Sequence, residues 1–203
     1  MSIPFQDSET AKNLLRAFAG ESQARNRYDF AANLCQKQEL QAMAFIFQAT
    51  AKQEQAHAKV FWDHLQALNG QNLPIYGAYP IEGTNRILEL LRAAQHNEHE
   101  EHGSVYPSFA AIATQEGFPE AAASFRLIAA IEQLHGERFG LLADQLESGA
   151  LFVSQIETGW MCLNCGHTQN SLEAPKQCPV CNHGQGWFIR LELAPWSPVV
   201  KQT

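Results

Sequence analysis

The chain has 203 residues, 45% of them hydrophobic, and sets 14 Lys+Arg against 21 Asp+Glu for a formal net charge of -7. That length suits one medium domain plus a small appendage, and the acidic balance argues against nucleic acid or an anionic membrane surface as partner. No stretch reaches the roughly 18 consecutive apolar residues of a membrane span. The opening MSIPFQDSETAKNLL has neither a basic nor an apolar leader region, so a cytoplasmic location is expected.

From residue 8 to about residue 148, apolar residues recur at three and four, the helical period. A first helix is expected from Ser8 or Thr10, both N-cap residues, to about Gln38. A second follows over Glu39–Leu68, and Asn69-Gly70 stops it. Gly70 to Gly83 contains three glycines and two prolines and is too long for a tight turn, so it reads as a crossover. The third helix opens near Thr84, with an interruption expected around Gly103 and Pro107. The fourth starts at Pro119, a favoured first-turn residue, and ends by Ser148-Gly149. Four long helices with a long second connection predict an all-α four-helix bundle of the ferritin-like kind over residues 1–150.

The pattern changes after Ala150. Three of the four tryptophans and four of the nine prolines fall in the last 44 residues, and no helical period survives there. Gln155–Met161 and Trp187–Leu193 read as strands. A unit of this size, residues 151–203, buries too little surface to fold alone and calls for a metal staple.

What interrupts the apolar stripes is the informative feature. Glu21 follows Leu14 and Phe18; Glu54 sits between Ala51 and Ala58; Glu98 and Glu101 follow Leu91 and Ala94; Glu132 and His135 lie between Ile128 and Phe139. Unpaired ionised carboxylates inside a core cost on the order of tens of kcal/mol by idealised Born estimates. No lysine or arginine shares these stripes at that level, which leaves multivalent cations as the compensation. Glu54–His57 and Glu132–His135 are each spaced i, i+3, so both side chains meet one helix face. A Glu from each of two helices plus a Glu-x-x-His from each of the other two is the recipe for a carboxylate-bridged dinuclear iron or manganese site. Such oxygen and imidazole ligands suit either metal. His96, His99 and His102 are expected not to be ligands, and His64 is expected at the surface. Tyr28 and Tyr106 are placed to hydrogen-bond metal-bound carboxylates.

Four of the five cysteines form Cys162-x2-Cys165 and Cys178-x2-Cys181, with twelve residues between the pairs. Paired knuckles of this kind set four thiolates tetrahedrally around one metal, zinc or iron. Trp160, Trp187 and Phe188 are expected to pack around it. Cys35, off the stripes, reads as a small buried hydrophobe.

AFAGESQARNRY (Ala17–Tyr28), the two Glu-x-x-His motifs, Tyr106-Pro107 and CxxCG…CPxC, in this order, resemble the rubrerythrin family over roughly residues 8–190. The resemblance implies a ferritin-like di-iron domain followed by a rubredoxin-like domain with one iron on four thiolates. It implies that Glu54 and Glu132 bridge, that Glu21, Glu101 and His57 serve one iron, and that Glu98 and His135 serve the other. Glu101 and His57 would exchange at the first iron on reduction. It further implies an NADH- or rubredoxin-linked peroxidase that protects against oxidative stress. Such an enzyme reduces hydrogen peroxide to water with electrons from reduced rubredoxin or a similar donor, in a head-to-tail homodimer. His167 departs from the family pattern, where a tyrosine is expected, and LELAPWSPVVKQT extends past the usual end. Ferroxidation or iron storage, and a zinc ribbon that binds a protein partner, are the competing readings.

Overall fold

The computed structural model describes residues 3–194; residues 195–203, most of the extended tail, lie outside the described part. Helix α1 spans Glu9–Lys37, where Ser8 caps it by accepting the Ala11 N–H at 3.0 Å. Two further N–H groups of its first turn, those of Glu9 and Thr10, are taken by the Glu116 carboxylate at 3.0 and 2.8 Å. The helix stops at Glu39, which adopts a left-handed φ of 60° while Leu40 N–H reaches back to Cys35 O. Helix α2 follows at Gln41–His64 and tightens into a 3-10 turn over Leu65–Leu68.

Residues 71–86 form no regular element and run as the expected crossover. Side chains pin it along the bundle. Tyr79 donates to Arg16 O at 3.0 Å, Arg16 to Tyr76 O at 2.8 Å, and Glu82 pairs with Arg27 at 3.2 Å while accepting from Asn97 at 2.6 Å.

The third helix opens at Ile87, three residues later than expected, and it is not broken at Gly103–Pro107. Helix α3 (Ile87–Glu100) runs through a π-helical turn (Glu101–Val105) directly into α4 (Tyr106–Glu116). In that wider turn Tyr106 N–H bonds Glu101 O, a five-residue step. Pro107, with no N–H to give, therefore sits where the ladder is already changing register. Gly117, at φ 87°, ends α4, and α5 covers Pro119–Glu147. No helix among the described residues is long and apolar enough to cross a membrane.

The bundle's core is divided in two by the carboxylate layer. One cluster holds Leu14, Ala17, Phe61, Tyr106, Ala113 and Phe125; the other holds Tyr28, Phe47, Leu91, Phe139 and Leu142. In α1, α2 and α5, and along the continuous run of α3 into α4, the acidic residue lies between a stretch belonging to one cluster and a stretch belonging to the other.

Beyond the bundle, β1 (Val153–Cys162) pairs antiparallel with β2 (Thr168–Glu173) on one side and β3 (Phe188–Arg190) on the other. Strand β2 was not expected. Its sequence TQNSLE is polar and mostly exposed, and pairing with β1 rather than apolar alternation holds it. Trp160, Cys162, Ala174, Cys178 and Phe188 form this unit's own small core, with Trp187 packed against it as anticipated.

Candidate metal centres

Four helices deliver six side chains to one buried layer. Glu21 comes from α1, Glu54 and His57 from α2, Glu98 from α3, and Glu132 and His135 from α5; all six are at most 6% exposed. They form two sets whose ligand-type atoms lie within 4.8 Å of one another: Glu21, Glu54, His57 and Glu132, and Glu54, Glu98, Glu132 and His135. Glu54 and Glu132 belong to both. His57 Nδ1 lies 3.1 Å from Glu54, 2.9 Å from Glu132 and 3.7 Å from Glu21. His135 Nδ1 lies 3.0 Å from Glu54, 2.8 Å from Glu132 and 3.8 Å from Glu98. The two imidazoles stack at 5.7 Å. The arrangement has approximate twofold character, with two shared carboxylates and one Glu plus one His on each side.

The unpaired atoms say what this layer is built to hold. Glu21 Oε2, Glu54 Oε1, Glu98 Oε2, both Glu132 oxygens and His135 Nδ1 are buried without a hydrogen-bond partner. Buried oxygens of this kind are costly unless a cation completes them, and Glu/His sets of four sharing two carboxylates fit a metal pair. Burial drives the Glu21 carboxyl well above its ordinary range and raises Glu98 to about 8. Burial alone would lower the imidazoles, but Glu132 and its neighbours push His57 up to about 12 and His135 to about 11.

Glu101 is not in either set. It heads the π turn, partly buried beside the layer, while the His57 imidazole fills the position next to Glu21. Burial, reinforced by Glu98 and Glu132, also drives the Glu101 carboxyl well above its usual range. Glu101, with Arg27, Tyr79 and Tyr106, lines a cavity of about 240 Å3 between α1, the crossover and the π turn.

Both tyrosines reach the layer, and the pairing is crossed. Tyr28 of α1 donates to Glu98 of α3, and Tyr106 of α4 donates to Glu21 of α1. Tyr28 therefore serves a carboxylate seventy positions away and not Glu21, its neighbour along the helix. One further contact has no signal in the sequence: Gln53 Oε1 meets His135 Nε2 at 3.0 Å. Gln53 lies one residue before Glu54 and carries no motif of its own. The remaining histidines stay out of the layer. His102 bonds Ala129 O at 2.8 Å, His96 faces Glu100, and His64, expected at the surface, is half-buried against Ser124 at 2.9 Å. Cys35 is fully buried, and burial pushes its thiol up to about 12.

The four knuckle cysteines also converge, their sulfurs all within 4.8 Å. Cys162–Cys181 and Cys165–Cys178 are each 3.7 Å apart. Metal–sulfur bonds of about 2.3 Å in a tetrahedron put sulfurs about 3.8 Å apart, so the cage matches a single tetrahedral metal. The two knuckles repeat one backbone plan. Cys162 N–H bonds His167 O and Gly166 N–H bonds Cys162 O; Cys178 N–H bonds His183 O and Asn182 N–H bonds Cys178 O. Gly166 (φ 77°) and Asn182 (φ 61°) make the left-handed step that each knuckle needs. His167 is held 3.4 Å from Gln169.

The rubrerythrin family profile matches residues 12–143, and the profile of the rubredoxin-like domain of rubrerythrin matches residues 160–189. The chain belongs to the rubrerythrin family. It is 43% identical to a rubrerythrin of Porphyromonas gingivalis over 93% of this chain and 92% of that one. With a rubrerythrin of Nitratidesulfovibrio vulgaris it shares 40% identity over 92% and 96% of the two chains. Among solved structures, nigerythrin in its fully reduced, all-ferrous state is similar at a TM-score of 0.60 and 25% identity, covering 91% of this chain and 90% of that one. Mycobacterium tuberculosis bacterioferritin matches at 0.60 and 18% identity over 70% and 88%, which supports the ferritin-like fold. As a member of this family, the chain carries a Glu/His di-iron site in the bundle and a four-cysteine rubredoxin-like iron site beyond it.

Proposed function

We propose that the chain is a cytoplasmic peroxide reductase protecting against oxidative stress, which converts hydrogen peroxide, two protons and two electrons into two waters. The observation that carries this reading is the pairing, in one chain, of a two-metal carboxylate site with a separate four-thiolate site. Bound iron supplies the Lewis acidity and electrons for O–O cleavage at the first site and a one-electron relay at the second.

The residues take distinct roles. Glu54 and Glu132, common to both sets, would be shared by the two irons, Glu21 and His57 would hold one, and Glu98 and His135 would hold the other. Glu101, beside the layer, is a further carboxylate that would be available to hold the iron on the His57 side. Tyr28 and Tyr106 hold the outer oxygens of Glu98 and Glu21 in place, which orients the carboxylates and keeps a proton donor beside each one. The cavity beside Glu101 is large enough for peroxide and its water shell, and the buried carboxylates relay protons. Cys162, Cys165, Cys178 and Cys181 hold the relay iron, in a domain of residues 151–203 that follows the di-iron domain of residues 1–150. Reduced rubredoxin or a similar small electron-transfer protein, ultimately NADH-linked, is the donor, and a head-to-tail homodimer is the assembly.

The test reduces the purified protein without oxygen, adds stoichiometric hydrogen peroxide, and follows the visible absorption of the thiolate iron. Fast return of colour with peroxide and slow return with dioxygen is the expected result. Equal or faster return with dioxygen would make the bundle a ferroxidase. Absence of any thiolate–iron colour would put zinc in the knuckles and remove the relay.

A further inference from the structure

The crossover is fastened around one cavity. Tyr79 holds it to Arg16 of α1, and its Glu82 holds it to Arg27 of α1 and Asn97 of α3. Arg16, Arg27, Tyr79 and Asn97 all line the cavity of about 240 Å3 that reaches Glu101 and Tyr106. Tyr106 is 1% exposed and bonds Glu21, so the inner end of this cavity lies against the Glu21 side of the carboxylate layer.

Tyr79 is the bulkiest group that the crossover gives to this wall; its neighbours there are Gly77, Ala78 and Pro80. The half-buried ring is set from three directions. Its hydroxyl donates to Arg16 O at 3.0 Å, a Cβ on Gly20 would lie 3.6 Å from the ring, and one on Gly77 would press on it at 3.0 Å. Gly20 lies inside α1, where glycine is destabilising relative to alanine, and it immediately precedes Glu21. Its bare Cα lets the ring lie close over the helix, one residue from a member of the layer.

We propose that Tyr79 is a specificity-determining residue: its ring sizes the approach to the Glu101 side of the layer, passing hydrogen peroxide and holding out alkyl hydroperoxides. This rests on the peroxidase reading above and adds the substrate class that the site excludes. Both oxidants take two electrons and two protons as the O–O bond breaks; hydrogen peroxide gives two waters, and an alkyl hydroperoxide gives one alcohol and one water. Both are uncharged near neutral pH, so Arg16, Arg27 and Glu101 in the wall do not sort them by charge. They differ in the alkyl group, which has to pass the ring, and a steric clash is the means left to reject it.

The test measures kcat/KM for hydrogen peroxide and for tert-butyl hydroperoxide in the iron-loaded wild type and its variants, with helical circular dichroism as the check on folding. In Y79A, and in Y79L, which keeps apolar contact over Gly20 without the ring, the preference for hydrogen peroxide is expected to fall about tenfold or more. Y79F, which keeps the ring, retains the preference. E82A, which frees the Arg27 end of the crossover and leaves the ring seated, also retains it, while amide exchange at residues 81–86 rises. An unchanged preference in Y79A and Y79L, or an equal loss in E82A, overturns the proposal. A second measurement needs no turnover: azide and phenol are titrated into the oxidised protein, and difference absorption of the bundle iron reports their binding. Azide is expected to bind wild type and Y79A alike, and phenol to bind Y79A about tenfold or more tightly than wild type. Equal phenol affinities, or an equal gain for azide, overturn the filter. A wild type that shows this phenol difference from Y79A but that hydrogen peroxide does not oxidise would instead overturn the peroxidase reading and leave the filter standing.

Discussion

The two metal sites of this chain are made in opposite ways. The bundle site gathers residues 21 to 135 from four helices, and two apolar clusters surround it; there the fold makes the site and bears the cost of burying carboxylates. The thiolate site uses residues 162 to 181, two local knuckles, around a core of only five buried residues; there the metal makes the fold. A large apolar core can carry an electrostatic penalty that a small one cannot.

Removing a ligand from each site should therefore have opposite consequences for stability. C178A is expected to unfold residues 151–194, since a structural metal on such knuckles supplies on the order of 10–16 kcal/mol. Loss of thiolate–iron absorption and rapid proteolysis of that unit, with the helical circular dichroism of the bundle intact, would show it. E132L should abolish loading of both bundle metals because Glu132 belongs to both sets. The metal-free bundle is spared the repulsion of Glu132 against Glu21, Glu98 and Glu101 but loses its contacts with His57 and His135, so it should stay folded with a stability change of no more than about 3–5 kcal/mol. Thermal melts of the metal-free proteins decide this, and a bundle that collapses in E132L would erase the contrast.

Tyr28 and Tyr106 sharpen the comparison inside the bundle. If the layer's approximate twofold is functional, Y28F and Y106F should weaken iron binding by a similar factor, about 10–100-fold, each on its own side. Metal titrations followed by iron spectroscopy separate the two. The smallest effect is expected at Glu116, remote from both sites. Burial would raise its carboxyl, but the Thr10 hydroxyl and the N–H groups of Glu9 and Thr10 outweigh burial and hold it below the ordinary 4.5. A depressed carboxyl contributes stability above its unfolded value, and that contribution is lost as pH falls from about 4.5 through the folded value. E116Q should cost about 1 kcal/mol at neutral pH, as a lost cap does, and should flatten this acid dependence in denaturant melts.

Legibility followed the same division. The helix limits near Ser8, Pro119 and Gly149 were readable because caps and turn residues act locally. The six layer residues were readable because a carboxylate in an apolar stripe violates the stripe. The π turn reads as a break in sequence, since Gly103 and Pro107 signal disruption of α-helical bonding without saying that a five-residue step will repair it. Strand β2 carried no apolar alternation, and Gln53 carried no motif, so neither was visible before its partner came near.

By itself the sequence determined which residues are ligand-like and which helix faces turn inward, because periodicity and spacing are properties of one segment at a time. Tertiary packing alone decided that Tyr28 meets Glu98 and Tyr106 meets Glu21, that His57 and not Glu101 fills the layer, and that Met161, Leu163 and Ile189 close onto the bundle. Each of these is a choice among neighbours brought together by the fold. Its energy lies in the burial and hydrogen bonding of a particular pair, which no single segment contains.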